Sequence, residues 1–145
     1  MDKYEGLKLE NQLCFPLYVA SKEVIRKYKP ILDKFDLTYT QYIAMMVIWE
    51  ERSIKVTELG KRLYLDTGTI SPLIRKLKSK DYITITRDKD DERVQIINLT
   101  KHGEDLREDA LSIPQEMMKQ NCVNLTNDEA ILLKNILEKM VSKHE

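Results

Sequence analysis

From about Leu9 to Phe35 the apolar and aromatic residues recur every three or four positions, the spacing of one helix face, and only Pro16 and Pro30 interrupt it. A second helical segment follows in "DLTYTQYIAMMVIWEE", where Thr38 and Gln41 stand in capping-box spacing before a run of large apolar residues through Trp49. That run is expected in the core. "KVTELGKRLYL" repeats the spacing over Val56, Leu59 and Leu63, with Gly60 small enough for close helix contact. In "LDTGTISPLIRKLKSKDY", Ile70, Leu73 and Leu77 form an inward stripe, and Asp66 or Thr69 can serve as N-cap. Pro72 is comfortable only in a first turn, so the spacing leaves the start of this helix open by a few residues.

Beyond Tyr82 the period changes. "ITITR" alternates, "DKDDE" is a polar turn and "RVQIINLT" is again β-branched, which together predict a β-hairpin. Helical spacing resumes after Thr100 in "KHGEDLREDALSIPQEMMKQ" and "NDEAILLKNILEKMVSKH", separated by "NCVNLT", with Thr126 as cap of the last helix. The expected fold is mainly α with a small β-hairpin wing: a winged helix-turn-helix carrying long N- and C-terminal helices. All 145 residues form one domain in this reading, with about 37–100 as the winged unit and about 1–36 and 101–145 as flanking helices. Those flanking helices cannot all pack on so small a unit. Association with a second copy buries them, which predicts a homodimer.

Composition narrows the class. No apolar run approaches the roughly eighteen residues of a membrane span, and "MDKYEGLKLENQ" lacks the form of a signal peptide, so a soluble, cytoplasmic chain without a membrane partner is expected. The two cysteines, Cys14 and Cys122, form no CxxC or Cys/His cluster. No metal or cofactor is predicted, and in a reducing compartment both start as thiols. No Gly-rich nucleotide loop or catalytic triad is visible, and His102 and His144 lie in polar helical contexts, so an enzyme is not expected.

The formal net charge is zero, unlike a protein that merely coats nucleic acid. The charge is unevenly spread. Residues 51–101 carry twelve Lys/Arg against eight Asp/Glu, and residues 102–145 carry five against nine. Within the basic centre, residues 67–80 hold Arg75, Lys76, Lys78 and Lys80 and no acid. Thr67, Ser71, Arg75 and Lys78 share one helix face, opposite the apolar stripe, with Thr69 near the helix start. Hydroxyls and cations at a helix N-terminus suit base edges and phosphates, so this face is a candidate for double-stranded DNA. In the hairpin, Arg87, Lys89 and Arg93 flank the acidic turn, and Asp91 stands where it can hold Arg93 extended. A neutral chain gains specificity by reading two half-sites of a palindrome as a dimer, centred about 34 Å or a multiple apart.

"LCFPLYVASKEV" poses a separate question. If the regular helix begins beside Pro16, Cys14 lies near its N-terminus, where the helix dipole favours a thiolate. Tyr18, Tyr28, Tyr39 and Tyr42 gather in this region of a chain with only ten aromatic residues, and Tyr18 is one turn from Cys14 on the same face. Tyr28 shares that face but lies fourteen residues on, roughly 21 Å along a straight helix. It cannot touch Cys14 of its own chain; in an antiparallel pairing it can approach the partner's. Phenol donors around a thiolate suit reaction with a hydroperoxide. Packing alone is the rival explanation of Cys14.

These stretches carry a family resemblance. "LENQLCFPLYVASKEVIRKYKPIL", "LTYTQY", "LGKRLYLDTGTISPLIRKL" and "RDKDDERVQIINLT" resemble the MarR family of dimeric winged-helix transcription regulators, and within it the organic hydroperoxide sensor subgroup with its staphylococcal relatives. The resemblance implies that Cys14 is a peroxidatic cysteine oxidised to a sulfenic acid, with Tyr18 beside it and Tyr28 and Tyr39 reaching it from the other subunit. It implies a recognition helix within Asp66 to Lys80, and a wing arginine, Arg93, positioned by Asp91 to enter the minor groove. Cys122 lies where some members of the subgroup carry a second cysteine that resolves the sulfenic acid as an intersubunit disulfide; others finish with a small thiol. The implied protein is a repressor that releases its operator when an organic hydroperoxide oxidises Cys14. Release by a small phenolic ligand and turnover as a thiol peroxidase are the alternatives.

Overall fold

A computed structural model describes residues 2–142; His144 lies outside them. Helix α1 runs Cys14–Asp33, α2 Tyr39–Glu51, strand β1 Ser53–Lys55, α3 Val56–Leu63, α4 Thr67–Ser79, β2 Ile83–Arg87, β3 Gln95–Leu99, α5 Lys101–Ala110, α6 Ser112–Lys119 and α7 Asn127–Ser142. The chain is mostly helical with one small antiparallel sheet, as its periodicity predicts.

Three differences are informative. Helix α1 begins at Cys14, not Leu9, and two 3-10 turns precede it, at Glu5–Leu7 and Leu9–Asn11. Gln12 is extended, its side chain donating to the carbonyls of Gly6 and Lys8, and Pro16 has no amide hydrogen to offer the Gln12 carbonyl. The expected single helix after Thr100 divides at Leu111, because Pro114 cannot donate to the carbonyl of Ala110. The hairpin also gains a third strand. β1 pairs with β3 through Ser53↔Asn98, Ile54↔Ile97 and Lys55↔Ile96, giving the order β1-β3-β2.

The core lies where α2, α3, α4 and the sheet meet. Ala44, Met45, Ile48, Leu59, Ile70, Leu77, Ile83 and Ile97 are buried there. Each large apolar side chain so removed from water contributes about 1.5–3 kcal/mol. Thr38 and Gln41 form the expected capping box: the Gln41 amide donates to Thr38 Oγ1 and the Thr38 amide to Gln41 Oε1, both at 3.2 Å. Trp49 Nε1–H donates to the Gly103 carbonyl at 2.8 Å and ties α2 to α5.

The flanking helices are different. Helix α1 buries only Ile31 and Leu32, and α7 buries none of its described residues. Leu13, Phe15, Leu17 and Val19 near one end of α1, and Ile131, Leu133, Ile136, Leu137 and Met140 on α7, are exposed. Leu17 and α7 line one apolar groove. None of the described helices is long and apolar enough to cross a membrane. An apolar face of this extent marks a surface for association.

Candidate nucleic-acid interface and thiol site

Helix α3 ends in a left-handed residue, Tyr64 (φ 56°), and three residues later α4 begins. Asp66 is the cap, its Oδ1 accepting the Thr69 amide at 2.9 Å. With α4 starting at Thr67, Pro72 falls in the second turn. The carbonyl it leaves without a donor is that of Gly68, an exposed residue, so water can satisfy it.

Ile70, Leu73, Ile74 and Leu77 of α4 are buried, whereas Thr67, Thr69, Ser71, Arg75, Lys76 and Lys78 are all exposed. Among the described residues, Arg75, Lys76 and Lys78 make no ion pair. Three cations are thus left facing solvent beside three hydroxyls. Lys80 differs: its Nζ turns back to the carbonyl and carboxylate of Asp36 and to Gln41 Oε1 at 3.0 Å. The end of α4 is thereby tied to the cap of α2.

At the wing tip, Asp91 Oδ1 accepts from the Arg93 amide and from Nε, both at 3.0 Å, and Oδ2 accepts from Nη2 at 3.1 Å. These bonds hold the Asp91 carboxyl below its ordinary range. The Arg93 side chain remains 90% exposed, so it is oriented without being covered. Arg87 donates to the Glu92 carbonyl at 3.3 Å and braces the turn, and Lys89 is exposed.

The thiol residues fall into two groups. Cys14 is the first residue of α1, exposed, with Tyr18 one turn on and Lys22 Nζ 5.0 Å from the Tyr18 ring centre. Near the other end of α1, Tyr28 meets Tyr39 at 5.0 Å and Tyr42 at 6.0 Å between ring centres, and Tyr39 meets Tyr42 at 6.5 Å. Burial raises all three phenols, Tyr42 to about 12, so they stay protonated donors at neutral pH. Cys122 is buried, and its charge when ionised adds to the rise at Tyr28. The fold therefore gathers Tyr28, Tyr39 and Cys122, and leaves Cys14 and Tyr18 at the far end of α1. Spacing alone did not select Tyr42 as part of this group, although its place in the tyrosine cluster was the signal for it. Nor did it reveal Lys27, whose Nζ donates to the Cys122 carbonyl at 2.8 Å across ninety-five residues of chain. Nothing in the sequence marks that contact.

A helix-turn-helix with a stranded wing, an exposed face of hydroxyls and cations, and an arginine held out at the wing tip defines a winged-helix regulator. Residues 26–110 match the family model described as transcriptional regulator SarA/Rot, and the chain belongs to this family of MarR-type transcriptional regulators. It is 46% identical over 136 residues to the HTH-type transcriptional regulator SarZ of Staphylococcus saprophyticus, covering 94% of this chain and 92% of that one. To the organic hydroperoxide resistance transcriptional regulator of Bacillus subtilis it is 44% identical over 113 residues, 78% of this chain and 77% of the relative. Solved structures of AbfR bound to DNA superpose with a TM-score of 0.80, both for the reduced protein (28% identity; 98% of each chain covered) and for the overoxidised one (27%; 99% of this chain and 100% of that). AbfR is a protein of Staphylococcus epidermidis. The chain is a transcriptional regulator and not an enzyme.

Proposed function

We propose that the chain acts as a homodimeric repressor that binds a palindromic DNA operator in its reduced state and releases it when an organic hydroperoxide oxidises Cys14. The observation that carries this reading is the separation of the thiol groups: an exposed Cys14 at one end of α1, and Tyr28, Tyr39 and the buried Cys122 clustered near the other. Antiparallel pairing of α1 with its two-fold mate brings one subunit's Cys14 to the other's phenols. The apolar faces of α1 and α7 are the surfaces such a pairing covers. The DNA-facing set is Thr67, Thr69, Ser71, Arg75, Lys76 and Lys78 from α4, with Arg87, Lys89 and Arg93, oriented by Asp91, from the wing.

The chemistry balances in two steps. The Cys14 thiolate attacks the peroxide O–O bond, becoming a sulfenic acid while the alcohol leaves. The Cys122 thiol of the other subunit then displaces the hydroxyl, and a disulfide and water result. AbfR is bound to DNA even when overoxidised, which supports assigning release to the disulfide and not to oxygen added to one sulfur. A disulfide draws the start of one subunit's α1 toward the Cys122 loop of the other subunit, which lies near the far end of that subunit's own α1. The Gln41–Lys80 bond passes movement at the start of α2 to the end of α4. A shift of a few Å between recognition helices defeats simultaneous contact with two half-sites.

The test is non-reducing electrophoresis with peptide mapping, beside a duplex-shift assay, on wild type, Cys14→Ser and Cys122→Ser treated with cumene hydroperoxide. Wild type should form a Cys14–Cys122 dimer and lose the duplex. Cys122→Ser should oxidise yet keep the duplex. If Cys14→Ser still releases DNA in peroxide, the thiol switch is wrong and a bound small molecule must do the work.

A further inference from the structure

Cys122 is held more firmly than a loop cysteine needs to be. The Cys122 amide donates to the Met117 carbonyl at 3.1 Å and the Asn121 amide to the Met118 carbonyl at 3.0 Å, with Asn121 left-handed (φ 48°). This is a Schellman closure of α6, in which Cys122 and Met117 are both buried. The remaining backbone group, the Cys122 carbonyl, accepts Lys27 Nζ at 2.8 Å. Lys27 immediately precedes Tyr28 on α1, so the helix that presents the phenol also clamps the thiol's main chain.

We infer that Lys27 is the positioning residue for disulfide formation: by holding the Cys122 carbonyl it keeps the sulfur beside Tyr28, where the partner's Cys14 arrives. The inference rests on the proposed switch. A thiol fixed at the point of attack reacts with a high effective concentration, and one carried on a loosened loop does not. Because the Lys27 ammonium is committed to the Cys122 carbonyl, its role is assigned to the second step, in which Cys122 reacts, and not to the first oxidation at Cys14. Its removal should therefore separate the two steps: the sulfenic acid forms as before, and its resolution slows.

A net bond to a charged donor converts to about ten- to a hundredfold in an equilibrium or rate. Because Lys27 is an exposed residue, the lower end applies, about tenfold. The experiment is a chemical quench of the full-length protein after one equivalent of cumene hydroperoxide. Dimedone adducts report sulfenic acid, and non-reducing electrophoresis reports linked dimer. In Lys27→Met, sulfenic acid should appear at the wild-type rate, accumulate, and pass to disulfide about tenfold more slowly. Lys27→Arg should restore the rate, and Lys27→Gln, without charge, should fall between, which keeps the series informative if the methionine variant does not fold. Disulfide formation in Lys27→Met and Lys27→Gln at the wild-type rate overturns the inference while leaving the switch intact. So does equal slowing of both steps, which marks a general structural role. A wild type that forms no intersubunit disulfide overturns both.

Discussion

Gly103 should be the least replaceable glycine for stability. It is the third residue of α5, its amide donating to Thr100 Oγ1 at 2.9 Å and its carbonyl accepting Trp49 Nε1 at 2.8 Å. A Cβ added there falls well inside van der Waals contact with the Tyr82 carbonyl oxygen and lies 2.8 Å from Leu99 Cδ1. Backbone cannot step aside as a flexible side chain does, so α5 must move off the sheet. Such overpacking costs about 1–3 kcal/mol, and a weakened Trp49 bond adds about 1 kcal/mol. Alanine's better helix propensity returns about 1 kcal/mol. Gly103→Ala should therefore lose about 1–3 kcal/mol, a fall in Tm of roughly 3–10 °C for a chain of this size. Gly68→Ala is the control, because the nearest atom to its added Cβ is Asp66 Oδ1 at an ordinary 3.5 Å; it should stay within about 1 kcal/mol of wild type. Thermal and urea unfolding at one protein concentration, followed by circular dichroism and by the single tryptophan, measures both. A Gly103→Ala protein as stable as Gly68→Ala, with Trp49 fluorescence unchanged, would refute the tight contact between α5 and the sheet.

Two further outcomes follow from the DNA-facing geometry. Asp91→Asn should leave the Tm unchanged and weaken binding to a selected palindromic duplex by about three- to tenfold, because Arg93 must then be ordered on binding. The Asp91 carboxyl is held below its ordinary range, so in the free protein the Asp91–Arg93 clamp is complete above the ordinary carboxylate value and is lost as pH falls through the depressed one. Anisotropy titrations from pH 7 into the acid range should show the wild-type advantage over Asp91→Asn shrinking only there. Lys80→Met should fold, since Asp36 is exposed and Gln41 Oε1 keeps the Thr38 amide. The ratio of duplex affinities between its reduced and disulfide forms should shrink by about tenfold; an unchanged ratio would remove the Gln41–Lys80 bond from the coupling.

Long periodic segments were legible because their spacing is local chemistry. The Thr38–Gln41 box, the Asp66 cap, the stripe Ile70, Leu73 and Leu77, and the alternating hairpin all depend on residues within a few positions of one another. Strand β1 was hidden because three residues carry no period and its pairing partner lies more than forty residues on. The start of α1 depended on Gln12 reaching back to Gly6 and Lys8, a competition that hydrophobic spacing does not register. At the thiol site, residue type and spacing singled out Cys14 and the tyrosines. The placement of Cys122 against Tyr28, and the Lys27 contact beneath it, arise from packing the end of α6 on α1, elements brought together only by the fold.

The most direct test of the proposed switch is fluorescence anisotropy of a palindromic duplex, selected from a random pool, bound by the reduced protein and then exposed to one equivalent of cumene hydroperoxide per subunit. The anisotropy should fall to that of free duplex for wild type, stay at the bound value for Cys14→Ser, and return for wild type after dithiothreitol. Wild type that holds the duplex while its Cys14–Cys122 disulfide is complete would contradict the account.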